Sequence, residues 1–300
     1  MKKLMFAIAA VAAGTVLADV TSANIVGYKN TVANDDTAEE KYNMLGCAFA
    51  NIVANGTKVT DLCFTGYHDI GAYKDALEFS SRITIINSAG VAVQEFMWYE
   101  EFDDEAGDEG LWLGGYWKDA KKDGAIVTEE NAYVIPTGAG LWCPVKPGED
   151  GKSIQLVCAG QVIMDSKEVV ANSDTEEEKY AALCNPLARA VNITEVRFTG
   201  YHDIGAYKDA LEFSSRITVI NSAGTAVREY MWYEEFDDEA GDEGLWLGGY
   251  WKDMNNDGQA IVESDNIELP AGQGLWCPIK PGAEGQPIKI QWPKCFPDAK

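Results

Sequence analysis

MWYEEFDDEAGDEGLWLGGYWKD fills positions 97–119, and the same 23 letters return at 231–253. Its ends, Met97–Tyr99 and Leu111–Trp117, are aromatic and suit a pleated, half-buried surface. Between them stand Glu100, Glu101, Asp103, Asp104, Glu105, Asp108 and Glu109, with Gly107 and Gly110 able to turn the chain. The stretch therefore reads as strand, acidic tip, strand. Working outward, a shift of 134 residues aligns 65–119 with 199–253 over 55 positions. Only Ile85/Val219, Val91/Thr225, Gln94/Arg228 and Phe96/Tyr230 differ. Upstream the match shrinks to fragments such as DTAEEKY (36–42) against DTEEEKY (174–180), with a four-residue insertion near Ala54–Lys58 in the first copy. Two copies imply a pair of domains and not a solenoid.

Each copy carries short runs rich in β-branched and aromatic residues, separated by turn letters. Asn24–Val32, Lys41–Phe49, Arg82–Ile86, Val91–Phe102, Leu111–Lys118, Ala125–Thr128, Tyr133–Ile135, Gly140–Val145 and Ser153–Cys158 are the strands expected in the first copy. The NSAG between Arg82–Ile86 and Val91–Phe102 is a hairpin signal. Ala72–Phe79 is the single helix expected, one or two turns long. The pattern predicts an all-β protein of two tandem homologous β-sandwich or small-barrel domains, arising by internal duplication. The expected divisions are 1–18, 19–160 and 161–300; no Pro-, Gly- or Ser-rich linker parts the copies, so they are expected to abut.

Residues 1–18, MKKLMFAIAAVAAGTVLA, join a basic start, a short apolar run and a small-residue end, which reads as a secretory signal peptide. Export to the periplasm, outer surface or exterior is expected. The chain carries a net charge of −24, and removal of Lys2 and Lys3 makes it −26. Such acidity repels nucleic acid and anionic lipid, and no later segment is apolar enough to insert in a membrane. A glycan or a cell-surface protein remains as partner, and the oligomeric state is not read from the sequence.

Seven cysteines with no C-x-x-C pair give no zinc or thioredoxin-like motif. Cys47–Cys143 and Cys184–Cys277 are the expected disulfides, with Cys158–Cys295 as a third, against the alternative of reduced, buried thiols.

Three constellations are candidate sites. The first is the acidic tip, where Asp103, Asp104 and Asp108, with Asp237, Asp238 and Asp242 in the second copy, would suit Ca²⁺, a cation that takes six to eight oxygens. A solvated hairpin tip is the competing reading. The second is Asp253-Met-Asn-Asn-Asp-Gly258, where Asp253, Asn255 and Asp257 match the first half of a calcium loop. Ser264 stands where the closing acid belongs, and an Asp-Gly hairpin turn explains the same letters. The third is aromatic: Trp98, Trp112 and Trp117, with Trp232, Trp246 and Trp251, would form a platform for sugar rings if they faced solvent, or a β core if they did not. Alternation sets Trp98 with Phe96 on one face and Tyr99 with Met97 on the other. His68 and His202 lack a nucleophile partner, and no catalytic constellation is present in the sequence.

The SANIVGY strand, the YNMLG strand and the late IPTGAGLW and LPAGQGLW segments resemble a group of uncharacterised, exported two-repeat β proteins of Gram-negative bacteria. That group has no assigned activity, so the resemblance implies no catalytic residues. The expectation is an exported, non-enzymatic protein with a structural or adhesive role at the cell surface. The alternatives are a carbohydrate-binding protein, with calcium assisting, and more remotely a glycan hydrolase.

Overall fold

The structure is a computed structural model. It describes residues 25–36, 38–50, 55–66, 81–103, 111–148, 152–174, 176–200, 215–237, 245–282 and 286–296, without the side chains at 102–113 and 236–246. The described chain is all-β and antiparallel, with helix confined to single three-residue turns. None of its helices is long and apolar enough to cross a membrane. The expected signal peptide, the Ala72–Phe79 helix and both histidines lie outside the described residues.

The first half runs through β1 (Val26–Asn34), β2 (Lys41–Gly46), β3 (Gly56–Lys58), β4 (Leu62–Thr65), β5 (Arg82–Ile86) and β6 (Ala92–Asp103). It continues through β7 (Leu111–Asp119), β8 (Ala125–Ile126), β9 (Val134–Pro136), β10 (Gly140–Val145) and β11 (Ile154–Gln161). These form a three-stranded sheet β1-β11-β4, a six-stranded sheet β2-β10-β5-β6-β7-β8 and a small pair β3-β9. The second half holds β12 (Lys167–Asn172), β13 (Lys179–Cys184), β14 (Val191–Asn192), β15 (Arg197–Thr199), β16 (Arg216–Ile220) and β17 (Ala226–Asp237). It closes with β18 (Leu245–Asp253), β19 (Gln259–Ala260), β20 (Glu268–Leu269), β21 (Gly274–Ile279) and β22 (Ile288–Trp292). Its sheets, β12-β22-β15, β13-β21-β16-β17-β18-β19 and β14-β20, repeat the order of the first half strand for strand.

In each half the small sheet packs on the large one through one tryptophan. Trp117 lies 5.5 Å from Phe64 of β4, and its Nε1–H donates to the Leu62 carbonyl at 2.7 Å. Trp251 does the same with Phe198 at 5.5 Å and the Val196 carbonyl at 2.7 Å. The ring fills the core while its one polar atom is satisfied, which is what a buried indole requires.

The repeated 23-residue stretch forms the β6–β7 hairpin arms, with Trp98 opposite Trp117 and Tyr99 opposite Tyr116. Trp98 meets Trp117 edge-on at 5.0 Å and lies across Gly115, where an added Cβ would stand 2.0 Å from its ring. That glycine is therefore a slot for the indole. The outward pair Tyr99–Tyr116 is 5.4 Å apart, with the Lys118 ammonium 4.0 Å from the Tyr99 ring, a cation–π contact.

The DTAEEKY and DTEEEKY fragments have a structural reason. Asn34, fully buried, donates to the carbonyls of Glu39 and Val145 and accepts from the Asp36 N–H. Asp36 accepts the N–H groups of Ala38 and Glu39 and pairs with Lys41 at 2.9 Å. Asn172, Asp174 and Lys179 repeat the arrangement. These backbone hydrogen bonds, with Lys41 beside it, hold the Asp36 carboxyl at about 2.

Candidate binding surface at an aromatic seam

The halves meet through β2 and β10 on one side and β13 and β21 on the other, in reciprocal contacts. Leu45 bridges Gln273, and Ala139 bridges Leu183. Ser222 reaches Asp35 at 2.8 Å, and Ser88 reaches Ser173 at 3.2 Å. Lys29 donates to the Ala271 carbonyl, and Lys167 to Asn55. The first two sets are repeat equivalents of each other, and in the third the equivalent lysines reach different acceptors, so the same patch serves both halves, the geometry of a two-fold isologous contact. Close approach depends on absent side chains. A Cβ at Gly140 would stand 2.6 Å from the Leu183 carbonyl oxygen, and one at Gly274 would stand 2.3 Å from the Met44 carbonyl carbon.

That approach sets Trp142 of β10 and Trp276 of β21 6.4 Å apart across the seam. Tyr42 of β2 stacks on Trp142 at 5.9 Å, and Tyr180 of β13 stacks on Trp276 at 5.8 Å. The result is a row of four rings, Tyr42, Trp142, Trp276 and Tyr180. Both tryptophans are partly exposed, and both tyrosines are 50% exposed. Polar groups frame its ends. Glu40 accepts from the Tyr42 hydroxyl and pairs with Lys146, while Arg82 pairs with Glu95 at 3.2 Å. At the other end Lys280 pairs with Glu178, and Arg216 with Glu229 at 2.8 Å. The hydrogen bond to Glu40 raises the Tyr42 phenol above its usual range.

The aromatic platform expected from the sequence is corrected. Trp98, Trp117, Trp232 and Trp251 are all 6% exposed or less and belong to the core, because the face they share points toward the three-stranded sheet. The side chains of Trp112 and Trp246 lie outside the described residues. Among the tryptophans whose side chains are described, Trp142 and Trp276 reach solvent. Their signal was the glycine two residues ahead of each, Gly140 and Gly274, which admits the opposite half.

The calcium candidates divide. Asp104, Asp108, Asp238 and Asp242, and the side chains of Asp103 and Asp237, lie outside the described residues. In the Asp253 loop the oxygens serve the turn. Asp253 accepts from the Asn255 N–H at 2.9 Å and faces Arg228 at 3.4 Å, while Asn255 accepts from the Glu229 N–H at 2.8 Å. Asp257 takes the left-handed conformation at φ 51°, and Gly258 donates to the Asp253 carbonyl. The loop is the Asp-Gly hairpin turn joining β18 to β19. Among the described residues no three His, Cys, Asp or Glu side chains converge as metal ligands do.

The expected disulfides are also corrected: all seven cysteines are free thiols. Register explains why. Cys277 lies opposite Ala181, three residues from Cys184 on β13, and Cys143 lies opposite Asn43, four residues from Cys47. At about 3.4 Å per residue those gaps reach roughly 10 Å or more, beyond the ~7 Å Cα limit of a disulfide.

Comparison with protein-family models, curated proteins and solved structures gave no significant match.

Proposed function

We propose that this chain is an exported, non-enzymatic adhesive protein that grips a neutral polysaccharide along the row Tyr42, Trp142, Trp276 and Tyr180. The carrying observation is the row itself: four rings in contact, outermost tyrosines half exposed, charged and hydrogen-bonding groups at both ends. Apolar faces of sugar rings suit such a strip, while hydroxyls find partners among Glu40, Lys146, Arg82 and their equivalents. A chain of net charge −24 disfavours uronate or sulfated polymers, which is why the ligand is assigned as neutral. The reciprocal seam gives two equivalent half-sites at a fixed spacing, so a repeating polymer gains from engaging both. Calcium enters this reading only through the acidic tips.

A glycan array probed with the full chain, with and without millimolar Ca²⁺, tests it. The expected result is retention on neutral polysaccharides independent of calcium. Binding to no glycan would leave only a structural or protein-adhesive role, and calcium-dependent binding would move the site to the tips.

A further inference from the structure

We propose that the second half holds a binding site for a small carboxylate, in a cavity of about 430 Å³ beside β15. Glu195, Val196, Arg197, Trp232, Gln291 and Trp292 line it. Because β15 is an edge strand, groups from both faces of its sheet border the opening. Trp292 is fully buried, and its Nε1–H has no acceptor among the described residues. A buried donor left unmet costs about 1–3 kcal/mol. Trp117, Trp251, Trp98 and Trp232 are buried too, yet each has its acceptor. The first two donate to carbonyls at 2.7 Å, and the others to Glu100 and Glu234 at 3.2 Å. Trp292 belongs to the cavity wall, so an acceptor bound there would answer its donor.

The remaining groups select a monoanion. Arg197 is exposed, donates its Nε–H to Gln291 and pairs with no carboxylate among the described residues. Glu195 is the carboxylate of the described wall, and Arg189 engages both its oxygens, at 3.1 and 2.8 Å. That pairing holds Glu195 below the usual carboxylate range, so its charge is present and already matched. One guanidinium charge is left over. Its planar fork suits a carboxylate, to which the Trp292 N–H and the Gln291 amide add donors, while Val196 and the Trp232 ring give an apolar side. A single positive charge balances a monoanion and not a phosphate dianion, the more so in a chain of net charge −24.

Comparison of the halves shows that the fold does not require these groups. The 134-residue shift sets Cys63, Val157 and Cys158 where Arg197, Gln291 and Trp292 stand, while Trp98 keeps the place of Trp232. The first half thus builds the same sandwich with side chains that bring neither a charge nor a strong donor. The cavity chemistry is an addition to one half, separate from the seam that both halves build: neither Trp142 nor Trp276 lines it.

Titration of the full chain with benzoate and with galacturonate, followed through the indole resonances in nitrogen–proton correlation spectra, tests the site. Trp292→Phe identifies the Trp292 resonance by its loss. At least one of the two acids should move that resonance downfield and to saturation, as a new hydrogen bond does. Arg197→Gln should weaken binding by about tenfold or more, the loss of one charge-assisted pair. Its side chain is exposed, so the variant keeps the fold, which circular dichroism checks. A response to galacturonate alone names a sugar acid as the ligand, and a response to benzoate alone names an apolar acid; both support the site. No saturable shift with either acid, binding undiminished by Arg197→Gln, or an equal response to glucose or to sulfate overturns the proposal.

Discussion

The outer faces of the two three-stranded sheets share a backbone and differ in chemistry. On β1, β11 and β4 the face carries Val26, Tyr28, Val32, Val157, Ala159 and Cys63, with Val26 69% and Tyr28 74% exposed. On β12, β22 and β15 Gln291 and Arg197 stand in place of Val157 and Cys63, and Glu168 and Lys289 in place of Asn30 and Gln155, with Lys289 paired to Glu168 at 3.3 Å and Arg197 donating to Gln291. Around the packing tryptophan the inward positions agree: Phe64 and Trp117 match Phe198 and Trp251 in identity, distance and hydrogen bond, while Cys158 and Cys47 give way to Trp292 and Asn185 elsewhere in the core. Packing holds the Phe–Trp centre of each inner face constant. The outer face answers to solvent and partners, and there the halves have separated.

The largest effects should therefore be equal in the two halves. Trp117→Ala and Trp251→Ala should each cost about 3–5 kcal/mol, the range for removing a fully buried aromatic. Urea unfolding of both variants checks this, and a difference of several kcal/mol between them would break the equivalence. Next comes a position where the halves differ. Asn185→Ala leaves buried backbone groups unpaired and should cost about 2 kcal/mol, whereas Cys47→Ala at the equivalent position, which removes one buried sulfur, should cost less.

A smaller effect concerns the matched acidic turns. The Asp36 carboxyl is depressed to about 2, and Asp174 is lowered by the same backbone hydrogen bonds and its Lys179 partner. A carboxyl depressed by folding stabilises above its unfolded pKa, and that contribution fades as pH falls through the folded value. Asp36→Asn should thus lower Tm at pH 6, with the deficit shrinking between about pH 4 and pH 2; Asp174→Asn should follow the same profile. Smallest of all is the exchange of outer-face residues. Cys63→Arg with Val157→Gln should change stability by less than about 1 kcal/mol while reducing binding of an apolar dye, measured by ANS fluorescence.

Much of this fold was legible in the letters. Arg82–Ile86 and Gly140–Val145 are strands with the expected bounds, and the other expected strands of the first copy begin and end within a few residues of those found. Alternation correctly set Trp98 with Phe96 against Tyr99 with Met97. It could not say which face was the core, because that depends on the separate strands β1, β11 and β4 covering one side. The cysteine pairing failed for a related reason: repeat equivalence says nothing about register, and a three-residue offset puts thiols out of reach. The seam was the least legible part. Trp142 and Trp276 are 134 residues apart, and only the mutual docking of the halves over Gly140 and Gly274 brings them together.

The row of rings is tested most directly at its ends, where truncation removes half-exposed side chains and leaves the core intact. Wild type and the Tyr42→Ala/Tyr180→Ala double variant should be compared by isothermal titration with the neutral polysaccharide that the array selects, after circular dichroism shows equal folding. Loss of two stacking rings, at about 1 kcal/mol or more each, predicts affinity at least tenfold weaker in the variant. Equal affinity for the two proteins would contradict the assignment of the seam as the binding surface.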